Sequence, residues 1–152
     1  MIITLTIKLV GNIYTDSDWS CELEVDENIM LYELHDAIQE AVDFDNDHLF
    51  SFFTARNAHG SHHFMVDDEK DLEDISLLSL FPLRKGYKLF YWFDFGDDWI
   101  FQVSKSRKKP RASQPDREYP FLVSETGTKP EQYPSFEDDD NGSINPDDIV
   151  FL

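Results

Sequence analysis

Cysteine occurs once, at Cys21, in a chain of 152 residues. That excludes a disulfide within the chain and a zinc site built on cysteines. Glycine is scarce too, at six residues. The sequence holds no Gly-rich phosphate loop and no Gly-x-Ser-x-Gly turn, so the usual nucleotide-binding and serine-hydrolase chemistries have no support. Cys21 falls in a strand pattern, as a packing residue rather than a nucleophile. No apolar run approaches the 18 or so residues of a membrane-spanning helix. Residues 1–10 alternate Ile3, Leu5, Ile7 and Leu9 with Thr4, Thr6 and Lys8. This is the pattern of a strand, not of a signal peptide, and the expected location is the cytoplasm, with no membrane partner.

Positive charge is short as well: 13 Lys and Arg stand against 31 Asp and Glu, a net charge of −18. Such a surface repels phosphate backbones and anionic membranes, so nucleic-acid binding through the whole surface is disfavoured. The charge serves solubility, a salt-rich cytoplasm or a basic partner. Aromatics are plentiful, with 13 Phe, 6 Tyr and 3 Trp. They suffice for one folded core and argue against disorder over most of the chain.

The most informative stretch is Leu89–Val103, two aromatic runs around Gly96-Asp97-Asp98. Leu89, Tyr91, Phe93 and Phe95 share one face of an extended chain, and Trp99, Phe101 and Val103 do the same after the break. Period-2 aromatic runs around a short Gly/Asp turn predict a β-hairpin, with Gly96 supplying any positive φ. Phe90 and Trp92 make the opposite face apolar as well, so either both faces are covered or one is an interaction surface.

The rest of the chain reads as strands over about 2–10 and 19–25, then a helix near 30–42. Leu31, Leu34, Ile38, Ala41 and Val42 form its apolar stripe, Glu33, Asp36, Gln39 and Glu40 face water, and Asn28 is a candidate N-cap. Short strands follow at 48–54 and 63–66, around a loop at 56–62. An acidic stretch over 67–74 leads to one helical turn at 77–81, before Pro82. Residues 105–117 form a basic, Pro-interrupted loop, and 119–123 another short strand. The predicted class is α+β: a mixed or antiparallel sheet packed on one main helix. Its hairpin–helix–strand order is β-grasp-like, with an added aromatic hairpin. Residues 1–124 form the single domain. Residues 125–152 form an acidic tail around Glu137–Asp140, partly docked through Tyr133, Phe136 and Ile149–Leu152.

Several segments together resemble the plasmid pRiA4b ORF-3-like family. They are Leu34-His35-Asp36-Ala37-Ile38-Gln39, His48-Leu49 with Phe52, Asp94-Phe95-Gly96-Asp97-Asp98-Trp99, and Gly127-Thr128-Lys129-Pro130-Glu131-Gln132-Tyr133-Pro134. The resemblance covers about 30–134. It implies a protein of unknown biochemical function with a mobile-element association, since members also appear as the TnpR-like passenger of an insertion element. Family members often carry an aromatic-Arg-Arg cluster where this chain has Trp19-Ser20-Cys21, and a His where it has Phe101.

Three functions compete. The first is a non-enzymatic protein-binding or scaffolding module presenting the aromatic hairpin, with Trp92 and Trp99 partly exposed, and the charged tail. The second is a nucleic-acid-binding protein using Lys105, Arg107, Lys108, Lys109 and Arg111, or else a basic loop that folds back on the acidic tail. The third is a metal-dependent hydrolase in which Asp94, Asp97 and Asp98, with His35 or His48, hold a divalent cation. Against the third, Asp97 and Asp98 suit a turn, and His35 and His48 suit the edge of a core. His59, His62 and His63 sit in or beside a Gly/Ser loop, where casual affinity for transition metals is the most they suggest. No catalytic residue and no cofactor is assigned.

Overall fold

The computed structural model describes residues 1–134. Phe136, Glu137–Asp140 and Ile149–Leu152, assigned above to the tail, lie outside the described residues. Within them the strands are β1 (Ile2–Gly11), β2 (Ser20–Asp26), β3 (Phe50–Ala55), β4 (Phe64–Val66), β5 (Lys88–Phe93), β6 (Trp99–Lys105) and β7 (Phe121–Thr126). The helices are α1 (Leu31–Val42) and α2 (Glu69–Asp74), with a 3₁₀ turn at Leu77–Leu80. The seven strands form one sheet in the order β4-β3-β5-β6-β1-β2-β7, every neighbour antiparallel.

The α+β class is as expected, dominated by the sheet. The grasp-like detail does not carry over: β3, which follows the helix, lies three places from β1, and β1 is flanked by β2 and β6. A second helix, α2, grows from the acidic stretch at 67–74. Its N-cap is Asp68, whose side chain accepts from the Lys70 N–H. The acidic run thus supplies a cap and a first turn that favour a helix.

Alternation places Ile3, Leu5, Ile7 and Leu9 of β1 on the face that α1 covers. Leu89, Tyr91 and Phe93 of β5 join them there, with Trp99, Phe101 and Val103 of β6. The α1 stripe packs onto this layer as its spacing predicts. Each large apolar side chain moved fully out of water contributes about 1.5–3 kcal/mol, so this aromatic layer dominates folding. Two helix details differ from expectation. Asn28 is not the cap: Met30 holds that position, its N–H donating to the Glu33 carboxylate while the Leu31 N–H reaches the Ile75 carbonyl. Gln39 does not face water but is buried.

The opposite face carries a smaller cluster of Phe53, Ala55, Phe90 and Ile100, bordered by Val10, Ala58 and Trp92. His62 stacks on Phe53 at 4.0 Å. Both faces of the aromatic hairpin are therefore covered in that region.

Toward the β2–β7 edge the same face holds a buried carboxylate. Glu24, 7% exposed, receives both Arg111 and Arg117, the latter at 2.7 Å. Arg111 also donates to the Thr4 hydroxyl, and its backbone pairs with Ile2. Arg117 lies over the Phe121 ring at 4.0 Å. The bond from Arg111, then that from Arg117, holds the Glu24 carboxyl below its ordinary pKa.

A folded-state pKa below the unfolded one gives stability that is full above the ordinary glutamate range and lost as pH falls through the folded value. Glu24→Gln is expected to cost about 1–3 kcal/mol at neutral pH, with a deficit that shrinks below about pH 4. Urea unfolding of both proteins across that range checks it, and a pH-independent deficit would contradict the ion-pair account.

Candidate functional site

The polar residues of interest gather where α1 ends. Asp43 closes the helix in the left-handed region at φ 62°, and Phe44 turns inward to meet Trp99 at 4.9 Å. Asn46, also left-handed at φ 54°, returns beneath the helix. Asn and Asp occupy this region more readily than other non-glycine residues, because their short side chains bond locally.

Four residues then close a ring of hydrogen bonds through three side chains and both the backbone and side chain of Asn46. The Asn46 N–H donates to Gln39 Oε1 at 2.9 Å, and Gln39 Nε2 donates to the Tyr91 oxygen at 2.9 Å. The Tyr91 O–H meets His35 Nδ1 at 2.5 Å, and His35 Nε2 meets Asn46 Oδ1 at 2.6 Å. Asn46 Oδ1 can only accept, so the His35 proton sits on Nε2, and the Tyr91 hydrogen points to Nδ1. The imidazole is therefore neutral. Burial lowers the His35 pKa and raises that of Tyr91 well above its usual value. Phe50 stacks on the imidazole at 3.5 Å. His35 is thus satisfied inside the core and is not a free ligand.

The hairpin turn sends its three carboxylates to different partners. Asp94, buried, accepts from the Gly96 and Asp97 N–H groups through Oδ1 and faces His48 Nε2 at 3.3 Å through Oδ2. Asp97 accepts from the Tyr14 hydroxyl at 3.1 Å, and Asp98 from the Trp92 indole at 2.9 Å. Among the described residues no three His, Cys, Asp or Glu side chains converge as a metal ion requires.

Three expectations about the turn change. The positive φ values fall on Asp94 (59°) and Asp98 (54°), not on Gly96. Phe95 leaves the strand and packs on Trp92 at 4.4 Å. Trp99, a candidate for exposure, is fully buried, its indole N–H without a partner among the described residues.

His48 lies at the rim. Its Nε2 meets the Tyr133 oxygen at 2.6 Å, while the Tyr133 hydroxyl donates to Asp47 at 2.5 Å. That bond, followed by one from Gln132, keeps the Asp47 carboxyl below its usual pKa, and the same bond to Asp47, with burial, pushes Tyr133 up to about 12. Buried Gln132 also accepts from the Asp45 N–H at 2.5 Å. The segment 130–134 is thereby latched to the loop after α1. Gln132, Tyr133, Asn46, Gln39 and Tyr91 were not singled out as site residues. The one local signal was a tyrosine on the buried face of a strand, a hydroxyl that needs a partner.

Two grooves flank α1. One, of about 490 Å³, is lined by Tyr32, His35, Asp47, His48, Leu49 and Asp67, among others. The other, of about 510 Å³, has Ile29, Ala37, Tyr119 and Pro120 as its apolar part and Asp26, Glu33, Asp36 and Glu40 as its charged part. Burial pushes the Cys21 thiol, on the neighbouring strand, up to about 12.

The basic loop divides in two. Lys105, Arg107, Lys108 and Lys109 are exposed, with no carboxylate within ion-pair distance among the described residues, whereas Arg111 and Arg117 are committed to Glu24. His59, His62 and His63 also diverge: His59 lies beside Gly11, His62 on Phe53 and His63 near Tyr87.

A family model described as plasmid pRiA4b ORF-3-like protein matches residues 2–134. Among solved structures, the chain is similar to a protein of unknown function from Methanosarcina mazei Go1. The identity is 27% and the TM-score 0.62, over 83% of this chain and 68% of that one. The comparison with curated proteins finds no match. The segments that carried the resemblance (34–39, 48–52, 94–99 and 127–134) meet at the ring, the hairpin turn and the latch. Trp19 and Phe101, where this chain departs from the pattern, touch edge to face at 6.1 Å.

The buried imidazole and the glycine turn each make a prediction. With a folded pKa below the unfolded one, neutral His35 favours folding above about pH 6.5, and that advantage falls as the unfolded chain takes up a proton. His35→Gln should therefore flatten the decline in melting temperature between about pH 7.5 and 5.5; an unchanged slope would contradict a neutral buried imidazole. Gly127 has φ +81°, and a Cβ there would lie 2.7 Å from Asp18 Oδ1 and 3.1 Å from Trp19 Cα. A Cβ at Gly96 meets nothing closer than 3.5 Å. Gly127→Ala should cost about 1–3 kcal/mol and Gly96→Ala less than about 1 kcal/mol in denaturant melts.

Proposed function

We propose a binding function from one premise: the chain belongs to the plasmid pRiA4b ORF-3-like protein family. The family description names no activity and the Methanosarcina protein is one of unknown function, so the site itself has to carry the reading. Its chemistry-bearing groups are spent on one another: His35 on Tyr91 and Asn46, Asp98 on Trp92, Tyr133 on Asp47. That favours a non-enzymatic protein-binding module over a hydrolase.

The observation that carries the reading is the groove along α1. Four carboxylates, Asp26, Glu33, Asp36 and Glu40, edge an apolar floor, and none has a Lys or Arg partner among the described residues. A concave apolar strip with one sign of charge suits a basic, partly apolar segment of a protein.

A fluorescent peptide of alternating lysine and leucine serves as the probe. At about 150 mM salt, where the Debye length is about 8 Å, long-range attraction to the net charge is largely screened. Glu40→Lys with Glu33→Gln should weaken binding about tenfold, whereas the exposed pair Asp67→Lys with Glu73→Gln should change it less than about threefold. Equal losses from both pairs would reduce the binding to bulk charge and remove the groove from the account.

A second reading rests on the four uncommitted cations of Lys105–Lys109. It requires a gel shift with DNA or RNA at about 50 mM salt that disappears when those residues are neutralised.

A further inference from the structure

The basic segment that the α1 groove takes, we propose, is the Lys105–Pro110 arm of a second copy of this chain, the two copies exchanging arms about a two-fold axis. This rests on the groove reading above and names its partner.

Complementarity is the first ground. The groove holds four carboxylates without basic partners, and the arm holds four exposed cations without acidic ones, all among the described residues. The arm supplies four of only 13 Lys and Arg in the chain. Within one copy the two features stay apart, since no ion pair joins them.

Their placement is the second ground. Asp26 ends β2 opposite Ile2, and the groove continues from it through Asn28 and Ile29 onto α1. Lys105 ends β6 opposite Leu5, Ser106 bonds Thr4, and Arg111 returns to Ile2. Arm and groove therefore lie at the same end of the sheet. A two-fold axis there lets each copy place its arm in the other's groove at once, a closed and self-complementary contact.

The third ground is that the arm is held at both roots and carries apolar surface. Ser106 and Arg111 tie it to β1, and together with Ile3, Glu27, Leu78, Phe81 and Pro82 it lines a cleft of about 570 Å³. Its ordering cost on docking is thus partly met before the partner arrives. With −18 on each copy, the contact needs enough salt to screen distant repulsion while leaving the close pairs intact.

Sedimentation velocity of the 152-residue chain at about 150 mM salt tests this. The wild type should dimerise with concentration. An arm variant (Arg107→Glu, Lys108→Glu) and a groove variant (Glu40→Lys, Glu33→Gln) should each raise the dissociation constant at least tenfold. Glutamine at 33 keeps an oxygen for the Met30 N–H. Mixing the two variants should recover a dimer, because one contact of the mixed pair is then a wild-type arm in a wild-type groove, and the other sets an arm of no net charge against a groove with one net negative charge. That restoration also shows both variants to be folded.

A wild type that stays monomeric, or a dimer untouched by both variants, overturns the proposal. If the wild type is monomeric but the lysine–leucine peptide still binds in a groove-dependent way, this inference falls and the groove reading stands. If the peptide fails as well, both fall.

Discussion

Tyr91 brings a hydroxyl into the middle of an otherwise apolar layer, and much of the architecture answers that fact. An unpaired hydroxyl there would cost a few kcal/mol, while a hydrogen-bonded one is close to neutral. The answer comes from α1, through His35 and Gln39, and from Asn46 in the loop beyond it. One constraint therefore sets the depth of the helix on the sheet, the tautomer of the histidine and the left-handed turn at Asn46. Because the ring closes on itself, loss of any member strands the others. Such a network specifies a single packing more sharply than apolar contact alone.

The electrostatic layout follows a similar economy. The chain has few cations, and two of them, Arg111 and Arg117, are consumed in neutralising one buried carboxylate, Glu24. That pairing also ties the segment between β6 and β7 across the back of the sheet. The remaining basic residues of the loop are left together at one end, close to an acidic groove that no internal cation serves. The separation of unlike charges onto neighbouring but distinct surfaces is what makes the molecule read as half of a contact.

Period-2 aromatic runs and the 3.6-residue stripe were legible because they are local: β5, β6 and α1 appear where the pattern puts them. Where the reading erred, the deciding interaction was distant or backbone-driven. Gln39 looks like a solvent residue until Tyr91, 52 positions away, claims its amide. Gln132 is unremarkable in an acidic stretch, and Tyr133 reads there as a docking aromatic with no partner named, until they meet Asp45 and Asp47, more than 80 positions earlier. In the hairpin turn, aspartates took the left-handed positions because Asp94 bonds the N–H groups just ahead of it, which released Gly96 from the role its type suggests. His35 and His48 both read as residues at the edge of a core, but His35 lies inside it and His48 at the rim, and their partners could not be named from spacing.

The single thiol gives the molecule a built-in reporter. Cys21 sits in β2 beside the edge strand β7, shielded and held protonated by its surroundings, so the nucleophilic thiolate is almost absent from the closed state. Alkylation of the native chain then proceeds only through moments when that flank of the sheet parts. With no other sulfhydryl to confuse the signal, the labelling rate becomes a stopwatch for the breathing of the β2–β7 seam.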